Sequence, residues 1–135
     1  MRPFPSTNCE GWVAVVDDDA SIRQALARVL SVSGIRVRTF GSAEHYLAQV
    51  GPEEPSCLIL VVHLPGRNGF ALRDELEARG SAAPIIFISA LDEKAVMRLS
   101  HRAEPPRYLQ KPFDSRALLG FVRQQLEAEA VSKAG

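Results

Sequence analysis

Hydrophobic and polar positions along this chain follow two alternating patterns. Short apolar runs rich in β-branched residues are typical of buried strands, and they alternate with longer stretches in which apolar residues recur every three or four positions, as in amphipathic helices. The runs that predict strands cover residues 12–16, 36–40, 57–62, 84–88 and 107–109. Strands that alternate with helices form βα units, which place their strands in a parallel sheet. The pattern therefore predicts an α/β fold with a parallel sheet of five strands.

Polar residues that can cap a helix mark where each predicted helix begins. The first helix carries Ile22, Leu26 and Leu30 on one face. Asp19 can accept hydrogen bonds from its first amides, and Gly34 can end it. Each later helix has an apolar stripe suited to packing on the sheet. These later helices are predicted to begin at Ser42, Asn68, Asp92 or Glu93, and Asp114.

The two ends of the chain lack this alternation. Residues 1–11 combine two prolines with polar and turn-forming residues, which predicts a flexible leader. Residues 12–126 carry the whole pattern and predict one compact domain with its own core. Residues 127–135 show no apolar periodicity, and we interpret them as a C-terminal tail or the start of a linker.

Charge and composition narrow the classes of partner. Lys and Arg number 16 and Asp and Glu number 16, so the formal net charge is zero. A neutral chain has no field that attracts nucleic acid or an anionic membrane, and we expect neither as a direct partner. No apolar run approaches the roughly 20 residues that cross a bilayer. Cys9 and Cys57 form no C-x-x-C pair, which favours a reducing, cytoplasmic location.

Candidate chemistry lies just after the predicted strands, because ligands of an open parallel sheet bind beyond the carboxyl ends of its strands. Asp17, Asp18 and Asp19 follow the first strand. Such an acidic group can hold a hard divalent cation such as Mg²⁺, or it can cap the next helix and face solvent. The other strand ends carry V-V-H-L-P-G-R-N-G, I-S-A and Y-L-Q-K-P-F.

These segments, in this order and at this spacing, resemble response-regulator receiver domains of the CheY-like type over about residues 12–126. The resemblance implies a doubly wound, flavodoxin-like sheet of order 2-1-3-4-5 and a role in two-component phosphorelay signalling. It also implies a site whose residues map onto this chain one by one. They are the acidic pair Asp17 and Asp18, a metal-binding backbone carbonyl at His63, the switch residues Ser89 and Tyr108, and Lys111.

The resemblance fails at the residue that accepts phosphate. Family loops of this type read D-x-x-L-P-G-R-x-G, so the acceptor aspartate should stand four positions before Pro65, where this chain has Val61. Valine cannot form an acyl phosphate, and no acidic residue lies between Glu54 and Asp74. We therefore expect an atypical receiver that lacks the phosphoacceptor, requires no cofactor and binds Mg²⁺ weakly at most.

Two site residues also have plainer interpretations. Ser89 can hydrogen-bond its own loop, as a serine at a strand end often does, and Tyr108 can lie half-buried without switching. Neither interpretation excludes the role implied by the resemblance.

The sequence is compatible with three functions. The first is a phosphorylation-independent interaction module that contacts a histidine kinase, an effector domain or another receiver through its fourth helix, fifth strand and fifth helix. The second is a regulatory module that senses a small ligand or ion in the altered pocket. The third, an enzyme, is disfavoured because the chain has no phosphate-cradling glycines and no catalytic Ser or Cys motif. A homodimer, and an output domain beyond Gly135, also remain open.

Overall fold

Strands and helices alternate along the whole described chain. The structure, a computed structural model, describes residues 11–51, 53–104 and 106–134, so nearly all of the predicted leader lies outside the described residues. The elements in order are β1 (Trp12–Val16), α1 (Ala20–Val32), β2 (Arg36–Phe40), α2 (Ala43–Gln49), β3 (Cys57–Val61), α3 (Gly69–Ala78), β4 (Ile85–Ser89), α4 (Glu93–Ser100), β5 (Tyr108–Gln110) and α5 (Ser115–Ala134). The predicted α/β class is confirmed, and strand ends differ from the prediction by one residue at β3, β4 and β5.

The strands form one parallel sheet in the order β2-β1-β3-β4-β5. This order was implied by the resemblance and is confirmed. Val16 pairs with both Phe40 and Leu60, and on the other side of β3 Val61 pairs with Ile88. Because the strands are parallel and end nearly level, the residues that follow them meet at one edge of the sheet.

The core lies around the two central strands. Every residue of β1 and β3 is buried, which explains why both read as continuous apolar runs: a central parallel strand is covered by helices on both faces. The edge strand β2 instead exposes Arg36 and Arg38. Charged side chains on an edge strand discourage pairing with another chain.

The predicted caps lie at the helix starts. The Asp19 carboxylate accepts from the Ser21 amide at 2.9 Å, and the Asn68 side chain accepts from the Ala71 amide at 2.8 Å. Ser42 caps α2 and Asp92 caps α4 in the same way. Gly34 follows α1 with a φ of 82°, a conformation that glycine adopts without steric penalty.

The last helix extends into the segment interpreted as a C-terminal tail or the start of a linker. α5 continues to Ala134, so residues 127–134 are helical although they lack apolar periodicity. Periodicity reports burial, whereas helicity here follows from strong helix formers in the sequence E-A-E-A. The role of this segment as a C-terminal tail or as the start of a linker stays a prediction. Within the described residues, no helix combines the length and apolar character that a membrane span requires.

Candidate functional site at the carboxyl edge of the sheet

The sheet brings the predicted site residues to one edge. Asp17 and Asp18 follow β1, Val61 ends β3, Ser89 ends β4 and Lys111 follows β5. The Lys111 amide donates to the Ser89 carbonyl oxygen at 2.7 Å, which continues the pairing of β4 with β5 up to the site. Residues that stand up to 94 positions apart in sequence (17 to 111) are therefore neighbours because of the strand order alone.

Asp17 is the buried acid of the site, with 1% of its surface exposed. Its Oδ1 accepts from the Asp19 amide at 3.0 Å, and its backbone amide donates to the Phe40 carbonyl oxygen at 3.1 Å. Its Oδ2 has no hydrogen-bond partner within the described part of the chain. The Lys111 ammonium lies close to that oxygen, with its Nζ 3.7 Å away. Lys111 therefore neutralises Asp17 by charge without a hydrogen bond.

The electrostatics of Asp17 follow from this burial. Loss of water raises the pKa of the Asp17 carboxyl above its ordinary value, while the Asp19 amide and the Lys111 charge act in the opposite direction. A cation or a hydrogen-bond donor that reaches Oδ2 would therefore interact favourably with this buried carboxylate. The site thus retains one oxygen suited to a ligand.

The other two acids of the D-D-D run have different surroundings. Asp18 is exposed to solvent. Asp19 caps α1, and hydrogen bonds from the Ser21 hydroxyl and amide lower the pKa of its carboxyl. Only Asp17 points into the protein, and the sequence left this division of roles open.

Val61 ends β3 beside Asp17 and is 5% exposed. The loop after β3 then folds back toward the end of the strand. The Gly69 amide donates to the Val62 carbonyl oxygen at 2.6 Å. A Cβ at Gly69 would lie 2.5 Å from the Val61 carbonyl oxygen, so this approach requires glycine. The His63 side chain is exposed on the loop between them. Metal binding by the His63 carbonyl stays a prediction.

Ser89 and Tyr108 meet at the backbone of one residue, Leu91. The Ser89 hydroxyl accepts from the Leu91 amide at 3.0 Å, and the Tyr108 hydroxyl donates to the Leu91 carbonyl oxygen. Burial and the nearby charges of Asp92 and Glu93 raise the pKa of Tyr108, so its hydroxyl remains a donor near neutral pH. Both predicted switch side chains therefore hold the loop that leads into α4.

Two contributors to the site were not predicted from the sequence. Leu91 acts through its backbone, for which a side-chain pattern carries no signal. Arg23 Nη1 donates to the Asp17 carbonyl oxygen at 2.8 Å and lies against Gly41, where an added Cβ would stand 3.3 Å from it. A signal existed for Arg23, which stands one helical turn beyond the cap Asp19 and so projects from the start of α1.

The residues present fit a divalent metal poorly. Within the described residues, no three His, Cys, Asp or Glu side chains lie close enough together to hold a metal ion. Mg²⁺ binding in proteins rests on carboxylate charge and number, and Val61 supplies neither. Weak Mg²⁺ binding at Asp17 and Asp18 stays a prediction.

Comparison with known proteins identifies the family. The family described as Response regulator receiver domain matches residues 13–123. This chain belongs to the response regulator receiver domains. Among curated proteins, this receiver is 34% identical over 118 residues to the response regulator protein TmoT of Ectopseudomonas mendocina, a match that covers 87% of this chain and 54% of TmoT.

Solved structures agree with this assignment. The response regulator StyR matches this receiver with a TM-score of 0.80 and 35% identity, over 92% of this chain and 63% of StyR. The receiver domain of the Francisella response regulator 1452 matches with a TM-score of 0.79 and 23% identity, over 88% and 98% of the two chains, and supports the fold alone. This receiver spans about half the length of TmoT and about a quarter of the length of the regulators DctD and NtrC that it also matches.

Proposed function

We propose that this receiver domain is an atypical member that lacks the phosphoacceptor aspartate and acts as a phosphorylation-independent interaction module of a two-component system in the cytoplasm. Its proposed partners are a histidine kinase, an effector domain or another receiver, including a second copy of itself. The proposal assigns no catalytic activity to the domain. The observation that carries it is the aliphatic Val61 at the end of β3.

The nearby carboxylates are poor substitutes for an acceptor. Transfer of phosphate to an acceptor needs an accessible carboxylate oxygen that attacks phosphorus. Asp17 is 1% exposed, and its Oδ1 is occupied by the Asp19 amide. Asp18 is accessible but exposed to solvent. Phosphate uptake at this edge therefore lacks a suitable nucleophile.

The start of α4 is fixed without a phosphoryl group. Ser89 and Tyr108 hold the amide and the carbonyl of Leu91, and Asp92 directly after it caps α4 by accepting from the Ala95 amide at 2.9 Å. These contacts link β4, β5 and α4 in the unmodified protein. A surface formed by α4, β5 and α5 (the α4–β5–α5 face) would then be available to a partner without modification.

The first test is exposure of the purified domain to acetyl phosphate. We expect an unchanged intact mass, because the residue at the acceptor position is aliphatic. An added phosphoryl mass that mild hydroxylamine removes would show that another carboxylate accepts phosphate and would refute the proposal.

A second test concerns the α4–β5–α5 face. A pull-down from the source cell identifies a partner, and its affinity is then measured for two charge reversals at exposed arginines, Arg98→Glu on α4 and Arg28→Glu on α1. We expect Arg98→Glu to weaken binding of the unphosphorylated domain and Arg28→Glu to leave it unchanged. Equal effects would contradict the assignment of the face.

One observation favours a second function, a module that senses a small ligand or ion. Asp17 Oδ2 is buried without a hydrogen-bond partner among the described residues, and the Lys111 Nζ lies 3.7 Å away with 29% of that side chain exposed. A small cation or a polar molecule could displace Lys111 from this oxygen. Ligand-dependent melting curves separate the two functions: a rise of many degrees with one ligand supports sensing, and no response supports the interaction module.

A further inference from the structure

A buried arginine joins α3 to the end of α4. Arg73 lies on α3, and only 7% of its side chain is exposed. Its Nη1 donates to the Ser100 hydroxyl and its Nη2 to the Ser100 carbonyl oxygen, both at 2.9 Å. Ser100 is the last residue of α4 and is 1% exposed. The contact is therefore an internal link between two helices rather than a surface pair.

Burial of a guanidinium is unfavourable unless its charge and its donors are satisfied. Arg73 meets this condition in three ways. Its fork reaches both acceptors of Ser100, its Nε donates to Asp74 Oδ1 at 3.0 Å, and its guanidinium carbon lies 5.0 Å from the ring centre of Phe70 and 6.0 Å from that of Phe87. The side chain is thus held on several sides by contacts from three elements and its own neighbour.

α4 is short and has few buried residues of its own. The helix has eight residues, of which only Val96 and Ser100 are buried. A helix this short is not stable by itself in water, so its position depends on its few contacts with the rest of the domain. The Ser100 carbonyl is one of the terminal groups that have no partner inside the helix, and Arg73 supplies the donor. His101 follows with a φ of 57°, which ends the helix there.

A second arginine reinforces the same junction from the surface. Arg102 donates to Asp74 at 2.7 Å and to Glu77 at 2.6 Å, so the segment after α4 is also tied to α3. Its side chain is 40% exposed, and exposed ion pairs contribute little to stability. Arg102 therefore serves as a matched control for Arg73, since both residues link the end of α4 to the same helix.

We infer that Arg73 is a positioning residue that fixes the C-terminal end of α4 and thereby holds one side of the α4–β5–α5 face in a single arrangement. The importance of that face rests on the proposed function, whereas the link itself rests only on the contacts of Arg73 and Ser100. With Leu91 held at the start of α4 and Ser100 at its end, both ends of the helix are fixed by side chains from other elements.

The experiment measures hydrogen exchange of the α4 and α1 amides in the free domain, for Arg73→Met, Ser100→Ala and Arg102→Ala. We expect α4 amides to exchange about tenfold faster or more in Arg73→Met. The loss of a hydrogen bond to a charged group changes the opening equilibrium of the helix by about this factor. Ser100→Ala keeps the carbonyl contact and should show a smaller increase. The α1 amides, and all amides of Arg102→Ala, should stay close to the parent.

The outcomes separate positioning from general stability. If Arg73→Met accelerates amide exchange equally in α4 and α1, Arg73 supports the whole domain. If amide exchange in α4 is unchanged, the link does not position the helix. Either result overturns the inference. If Arg73→Met does not fold, Ser100→Ala decides the matter by the same comparison. Because no partner or phosphate is used, the result is independent of the tests of the proposed function.

Discussion

Replacing Val61 by aspartate would put a carboxylate at the position that we propose corresponds to the family's phosphoacceptor. The new side chain would enter a site where Asp17 is already buried and where, within the described residues, one of its oxygens has no hydrogen bond. We expect Val61→Asp to be less stable than the parent when a chelator removes divalent ions. Mg²⁺ should then stabilise the variant, because the ion offsets the repulsion between carboxylates.

The size of this effect follows from the burial of Val61. The side chain is 5% exposed, so its replacement removes an apolar contribution of about 2 kcal/mol. Repulsion from Asp17 raises the carboxylate pKa values, and each unit adds about 1.4 kcal/mol of destabilisation near neutral pH. A total of about 3 kcal/mol lowers the melting midpoint of a domain of this size by roughly 10 °C.

Melting curves in chelator and in Mg²⁺ measure both effects, and intact mass after acetyl phosphate measures phosphate uptake. Mg²⁺ at about a hundredfold its dissociation constant should recover about 2.7 kcal/mol. Val61→Asn is the control, since it loses the same apolar contact without adding charge. We expect it to be destabilised less, to respond to Mg²⁺ no more than the parent and to take up no phosphate.

A negative result would be informative. If Val61→Asp gains neither a Mg²⁺-dependent rise in melting temperature nor a phosphoryl group in the presence of Mg²⁺, then the site differs from a functional one at more than this residue. The reasoning that Asp17, Asp18, Ser89 and Lys111 are retained in working positions would then be refuted.

Three further predictions concern the parent fold. Millimolar Mg²⁺ should shift its melting temperature little, because two carboxylates bind the ion weakly, and a rise of many degrees would contradict this. Burial raises the pKa of Cys57 to about 12, so in a Cys9→Ser background the folded protein should resist iodoacetamide until denaturant is added; rapid labelling would show that β3 opens easily. Gly69→Ala should destabilise by about 1–3 kcal/mol through the clash with the Val61 carbonyl. Gly120→Ala, in open space on α5, should stabilise by about 0.5–1 kcal/mol, and denaturant unfolding of the two variants checks the contrast.

Much of the fold was readable in the sequence because its signals are local. The central strands β1 and β3 are continuous apolar runs, and a strand covered on both faces needs no other pattern. Asp19 and Ser42 mark helix starts because a cap acts on amides two or three residues away. Likewise, the absence of a carboxylate at Val61 is a property of one position and needs no structure.

Only the tertiary structure determines which site residues are buried and which of them contact each other. Asp17 and Asp18 are adjacent and chemically identical, and the path of the chain after β1 alone buries the first and exposes the second. The meeting of Ser89 and Tyr108 at Leu91 involves a backbone amide and carbonyl, groups that every residue carries and that no side-chain pattern distinguishes.

The link between Arg73 and Ser100 likewise could not be predicted from the sequence, and it joins residues further apart along the chain. The two residues are 27 positions apart, and Arg73 stands on a helix where a charged side chain would ordinarily face solvent. Its burial follows from tertiary packing, because β4 places Phe87 against its guanidinium and α4 ends at Ser100. Local hydrogen bonding and apolar periodicity are encoded in neighbouring residues, whereas the partner of a buried charge is determined by how separate elements pack together.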